Sequence, residues 1–152
     1  MYRVLIADDE SIIREGLKKI ISWDSLGFEV IGTASDGRDA YRKINALRPD
    51  LCIIDIRMPG LDGLELISKI KKQNPDVKII ILTGYPEFGY AQKAVDLGVE
   101  TFLLKPIDPV ILEEKVKEIF AELEQERNLK YMLGKSIELS KERLIYQIVK
   151  GN

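Results

Sequence analysis

Five residues, Asp8, Asp9, Asp55, Thr83 and Lys105, each stand at the end of a short apolar run. Their types suit one chemistry. Two unit charges about 4 Å apart repel by roughly 1 kcal/mol in water and about 4 kcal/mol at an effective dielectric near 20. Clustered carboxylates therefore call for a resident cation. Mg²⁺ is the natural one, because it takes oxygen ligands, keeps several waters and binds through one or two carboxylates plus a phosphoryl oxygen. In that arrangement Asp9 and Asp55 are direct ligands, Asp8 acts mainly through water, and the backbone carbonyl of Arg57 completes the set. Asp55 can then act as a nucleophile toward phosphorus. The cation, Lys105 and the Thr83 hydroxyl would each take one phosphoryl oxygen.

The chain has no histidine among its 152 residues. That excludes Ser-His-Asp and Cys-His catalysis and any His-ligated zinc site within it. Its net charge of −2 provides no clustered basic surface for nucleic acid. The single cysteine, Cys52, sits in an apolar run and has no internal partner, which fits a reducing cytoplasm. No apolar stretch is long enough to cross a bilayer, so no membrane association is expected. Tyr2 to Ala7 enters a strand pattern at once, and no signal peptide is read there.

The elements that must position these residues alternate regularly. Apolar runs cover Val4–Ala7, Phe28–Gly32, Leu51–Ile54, Ile79–Leu82 and Thr101–Leu104. Continuous rather than alternating hydrophobicity marks strands buried on both faces. Helical stripes lie between them: Ile13, Leu17, Ile20 and Ile21; then Ala40, Ile44 and Leu47; then Leu64, Ile67 and Ile70. A fourth helix is expected over Phe88–Leu97, with Ala91, Ala94 and Val95 inward. Asp36 and Asp62 are N-cap candidates, and Pro49 and Pro75 stop two helices. The pattern predicts an α/β fold with a doubly wound five-stranded parallel sheet. In such sheets the functional crevice lies beyond the carboxyl ends of the strands. That rule gathers Asp8, Asp9, Asp55, Thr83 and Lys105, with Thr33 or Ser35 at the second strand end.

A long helix is expected after Pro106, carrying Leu112, Val116, Ile119 and Leu123. Glu126 and Lys130 break its apolar phase, and Leu133, Ile137, Leu144 and Ile148 suggest a further helical stretch beyond Gly134. Residues 2–122 are therefore expected to form one domain. Residues 123–152 are expected to be a helical linker that pairs with another copy or leads to a domain outside this chain.

Each residue has a plainer reading. Asp8-Asp9 can cap a helix, Asp55 can be a solvated strand end, Thr83-Gly84 a turn, and Lys105 an ordinary surface lysine. Their convergence on one sheet edge favours the functional reading. An aspartyl phosphatase would need an acid two residues after the nucleophile, where Arg57 stands. A flavin site would need phosphate-cradling donors where Asp8-Asp9-Glu10 would repel the ligand.

The motifs Val4–Glu10, Asp55–Gly63, Leu82-Thr83-Gly84 and Leu104-Lys105-Pro106 resemble those of the response-regulator receiver family of two-component systems, over roughly residues 2–122. The resemblance implies a flavodoxin-like sheet of strand order 2-1-3-4-5. It also implies that Asp55 accepts a phosphoryl group from a sensor histidine kinase, that Mg²⁺ is the cofactor, and that Lys105–Pro106 is cis. Thr83 and Phe102 are then the switch pair, acting on a face formed by the fourth helix, fifth strand and fifth helix. Tyr90, Lys93 and Glu113 lie on that face, which could support a homodimer. Such a domain is a signalling module rather than an enzyme, supporting only its own phosphotransfer and autodephosphorylation. The alternative is a stand-alone or degenerate receiver acting as a protein-interaction module. The stretch Thr83–Ala94 resembles receivers that head AraC-type transcription regulators, in which DNA is met only through a C-terminal output domain.

Overall fold

The computed structural model describes residues 1–84 and 88–149. Five strands form one parallel sheet: β1 (Tyr2–Ala7), β2 (Phe28–Ala34), β3 (Leu51–Asp55), β4 (Lys78–Thr83) and β5 (Thr101–Leu104). Their order in space is β2-β1-β3-β4-β5, as the resemblance implies. The helices are α1 (Ser11–Ile20), α2 (Gly37–Leu47), α3 (Gly63–Gln73), α4 (Phe88–Asp96) and α5 (Pro109–Val149).

Every residue of β3 and β4 is buried, the consequence of helices covering both faces of a parallel sheet. Leu5, Cys52, Ile54, Ile79 and Ile81 meet Ala40 and Ile44 of α2 and Leu66, Ile67 and Ile70 of α3 in one core. At the opposite end of the sheet from the strand carboxyl ends, Phe28 packs edge-on against Trp23, whose indole N–H donates to the Leu17 carbonyl.

Some local expectations are corrected. Helix α1 buries Leu17, but Ile20 is exposed: the helix ends there, and the chain turns extended at Ile21, which is buried instead. Asp36 caps α2 by accepting the Asp39 N–H at 2.8 Å. Asp62 holds the N-cap position of α3 without a side-chain bond; its backbone carbonyl accepts from Leu66. In α4, Ala94 is buried as expected, whereas Val95 is exposed. The orientation expected for Ala91 and the resemblance carried by Tyr85, Pro86 and Glu87 fall outside the described residues. A 3-10 turn over Asp24–Leu26, closed by Gly27 at φ 88°, had no signature in the helix and strand patterns.

The chain divides into two compact units, Met1–Val116 and Lys117–Asn152. The first holds the sheet, with Leu112 and Val116 of α5 buried within it. The second is helical through Val149, without a break at Gly134. From Arg127 to Val149 every residue is exposed.

Candidate functional site

Sheet register brings the chemical residues to one edge. Ala7 pairs with Ile54, so Asp8 leaves β1 beside Asp55, the last residue of β3. Asp55 pairs with Leu82, so Thr83 ends β4 one step further on. Thr83 pairs with Leu104, and Lys105 follows at once. The Lys105 backbone N–H donates to the Thr83 carbonyl at 2.8 Å, and the Lys105–Pro106 peptide bond is cis.

Carboxylate oxygens of Asp8, Asp9 and Asp55 lie within 4.8 Å of one another. Asp8 and Asp55 are buried, while Asp9 is exposed at the mouth. The Lys105 ammonium stands 2.9 Å from Asp8 Oδ2, 3.0 Å from Asp55 Oδ2 and 3.7 Å from Glu10 Oε1. Its bond to Asp55 is well directed. Asp8 Oδ2, although close to the ammonium, receives no well-aligned donor among the described residues. The other Asp55 oxygen accepts the Arg57 N–H at 3.0 Å.

Burial raises the Asp55 carboxyl above its ordinary range; the Arg57 N–H and Lys105 oppose that rise, and the neighbouring Asp8 charge adds to it. Burial alone would lower Lys105, but the adjacent Asp8 and Asp55 carboxylates outweigh it and raise the ammonium overall. One lysine among four carboxylates leaves the pocket short of positive charge. A buried carboxylate oxygen without a directed donor, in a trio of hard oxygen ligands, fits a small divalent cation such as Mg²⁺.

A cavity of about 870 Å³ opens beside the cluster, lined by Asp9, Ser35, Asp36, Arg38, Pro59 and Gly60 among others. Ser35 reaches this neighbourhood; Thr33 lies back within β2, where its carbonyl accepts from Lys43. Phe102 is half-exposed on β5 rather than part of the core. Tyr90 and Lys93 of α4 are exposed, and Glu113 of α5 is half-buried.

Pattern reading missed two residues here. Glu10 joins the ion cluster around Lys105. Arg14, half-buried in the second turn of α1, donates to the Asp8 carbonyl at 2.6 Å. Its position three residues before the buried Leu17 places it toward the inward side of the helix, the one signal that could have singled it out.

The family described as response regulator receiver domain matches residues 4–117. Over 126 residues the chain is 46% identical to the transcriptional regulatory protein YesN of Bacillus subtilis, covering 83% of this chain and 34% of that protein. It is 44% identical over 113 residues to the transcriptional regulatory protein HptR of Staphylococcus aureus, covering 74% of this chain and 44% of that protein. The chain thus spans less than half the length of these curated relatives. Among solved structures, the REC domain of AraT, a response regulator from Geobacillus stearothermophilus, superposes with a TM-score of 0.79 at 44% identity, covering 83% of this chain and 98% of that one. A two component transcriptional regulator AraC from Clostridium phytofermentans gives 0.77 at 34% identity, covering 84% and 98%.

Proposed function

The chain belongs to the response regulator receiver domain family of two-component systems, and from that premise we propose that it accepts a phosphoryl group on Asp55 from a sensor histidine kinase. The observation that supports this most directly is the placement of Lys105 within 3.0 Å of both Asp8 and Asp55, with Asp9 at the same edge. Asp8, Asp9 and Asp55, with the Arg57 carbonyl, would hold Mg²⁺. When bound, the ion neutralises the carboxylates and the charge of the transferring group.

The chain's own groups do the rest. Asp55, buried at the carboxyl edge of the sheet with its oxygens on the Arg57 N–H and Lys105, attacks phosphorus through a carboxylate oxygen as the donor's N–P bond breaks and the electron pair leaves on nitrogen. Lys105 follows the new negative charge from Asp8 and Asp55 to a phosphoryl oxygen. Thr83, one position beyond the residue paired with Asp55, supplies a hydroxyl to another. A phosphoryl group brings roughly −1.5 to −2 charge and strong acceptor oxygens. Thr83 moves toward it, and Phe102 on β5 swings inward in response. The face of α4, β5 and α5, which carries Tyr90 and Lys93, is then reshaped for homodimerisation.

The domain boundaries belong to the same reading: residues 2–122 as receiver and 123–152 as a linker toward an output domain. YesN and HptR are named transcriptional regulatory proteins, which supports an output in transcription regulation, and the AraC type is the proposal for it. The similarity to the AraC-named receiver structure supports it too. No helix among the described residues is long and apolar enough to cross a membrane. With the buried single cysteine and a kinase partner, that supports a cytoplasmic location.

Intact mass spectrometry after incubation with acetyl phosphate and Mg²⁺ tests the proposal. The expected result is one added phosphoryl group, lost on removing Mg²⁺ and absent from Asp55→Asn. A chain that stays unmodified would instead be a degenerate receiver serving as a docking module.

A further inference from the structure

Besides the Lys105 ammonium 2.9 Å from its Oδ2, three hydrogen bonds tether Asp8. Its N–H donates to the Ala34 carbonyl at 3.0 Å, its Oδ1 accepts the Glu10 N–H at 2.9 Å, and its carbonyl accepts from the Arg14 guanidinium at 2.6 Å. The first continues the β1–β2 ladder by one step, and the second closes a tight turn. The third reaches back six residues, from the second turn of α1 to the end of β1.

Helix α1 has little else to fix its start. Glu10 occupies the N-cap without a side-chain capping bond, its carboxylate standing 3.7 Å from the Lys105 ammonium instead, and the first turn carries no acid. Side-chain capping and acidic first turns are the usual means of holding a helix entry in place. Asp9 lies between the tethered residues, exposed, with no hydrogen bond of its own among the described residues. Its direction is therefore set by the Asp8–Asp9–Glu10 turn alone.

We infer that Arg14 is a positioning residue: by clamping the Asp8 carbonyl it fixes this turn so that the Asp8 and Asp9 carboxylates face a divalent cation together. The inference rests on the Mg²⁺ reading above. Bonds from guanidinium groups are stronger than neutral ones. Partners that orient metal ligands without touching the metal typically control 10–100-fold in affinity.

Charge and positioning act in opposite directions here, which makes the inference testable by sign. A guanidinium beside a cation site repels the cation, so a purely electrostatic role predicts tighter Mg²⁺ binding once Arg14 is neutralised. Positioning predicts weaker binding. Arg14→Met keeps a long, helix-compatible stem and removes both donor and charge; Arg14→Lys keeps one donor on a shorter reach.

Calorimetric Mg²⁺ titration of the unphosphorylated full chain should show the dissociation constant raised about tenfold in Arg14→Met and about two- to threefold in Arg14→Lys. With acetyl phosphate, the half-saturating Mg²⁺ concentration should shift in step, while the rate at saturating Mg²⁺ stays within about twofold. An Arg14→Met chain that is folded by circular dichroism and binds Mg²⁺ equally or more tightly overturns the inference. So does a fall in saturating rate at unchanged affinity. Should Arg14→Met not fold, Arg14→Lys decides: unchanged or tighter binding overturns, weaker binding supports. A parent chain that takes up no Mg²⁺ overturns the metal reading itself, an outcome distinct from a parent that binds and a variant that matches it.

Discussion

At the scale of single residues, Asp55 is where stability and the proposed function oppose each other. Its carboxyl is pushed above the ordinary value of 3.8, first by burial and also by the Asp8 charge. Between that ordinary value and its raised value, the folded chain holds a proton that the unfolded chain has released. Stability therefore falls as pH rises through this window, and the penalty is complete above it. Asp55→Asn keeps an acceptor for the Arg57 N–H and removes the buried charge, leaving Lys105 with Asp8 and Glu10. It should stabilise the metal-free chain at pH 7, by on the order of 1 kcal/mol. The gain should shrink as pH drops toward 4. Urea denaturation of both chains across that range would check it; a gain independent of pH would assign the effect to something other than the carboxylate. The identity of the acidic residues was legible in the sequence because each closes an apolar run. Which of them touches the lysine was not, since Glu10 and Asp8 reach Lys105 through side-chain paths that no spacing encodes.

At the scale of elements, strands were easier to read than helices. Leu51–Ile54 and Ile79–Leu82 are buried on both faces, so hydrophobicity marks them without ambiguity. Helix stripes mislead at their ends: Ile20 and Val95 fit the period but face outward, because the chain leaves α1 at Ile21 and the next turn of α4 closes at Gly98. Close approaches between elements were not legible at all. A Cβ on Gly37 would meet the Leu61 carbonyl oxygen at 2.6 Å, and one on Gly63 would strike the Ile56 carbonyl oxygen. These two glycines let the loop after β3 lie against the starts of α2 and α3. Ile56 follows Asp55 directly, so the space at Gly63 also governs the proposed phosphoacceptor. Gly63→Ala should cost about 2–3 kcal/mol, since backbone rather than a pliable side chain must give way. It should also slow phosphorylation by acetyl phosphate. Equilibrium denaturation and the mass assay read the two effects; a neutral substitution would mean that the loop shifts freely.

For the whole molecule, topology followed from pattern: alternating strands and helices predicted the parallel sheet, and the edge rule gathered the candidate residues that the strand register brings to one edge. The far end of the chain was only half legible. The apolar phase running through Leu112 and Val116 fails at Glu126 and Lys130, which pointed to an interruption, yet α5 continues unbroken to Val149. The reason is that helix continuation depends on backbone propensity and local pairing, to which an apolar stripe is irrelevant, and Gly134 costs only about 1 kcal/mol. Burial does depend on the stripe. Every residue from Arg127 to Val149 is exposed, Leu129, Leu133, Ile137, Leu144 and Ile148 included. Residues that bury nothing contribute nothing to the sheet unit's stability. Ending the chain after Glu126 should therefore leave the thermal midpoint within about 3 °C and the rate of Asp55 phosphorylation unchanged, while removing helical signal in proportion to the residues lost. Circular dichroism melts and the mass assay on both chains measure this. A large drop in midpoint would show that the outer helix is covered in solution by another chain, because an apolar stripe can stabilise a fold only when something shields it from water.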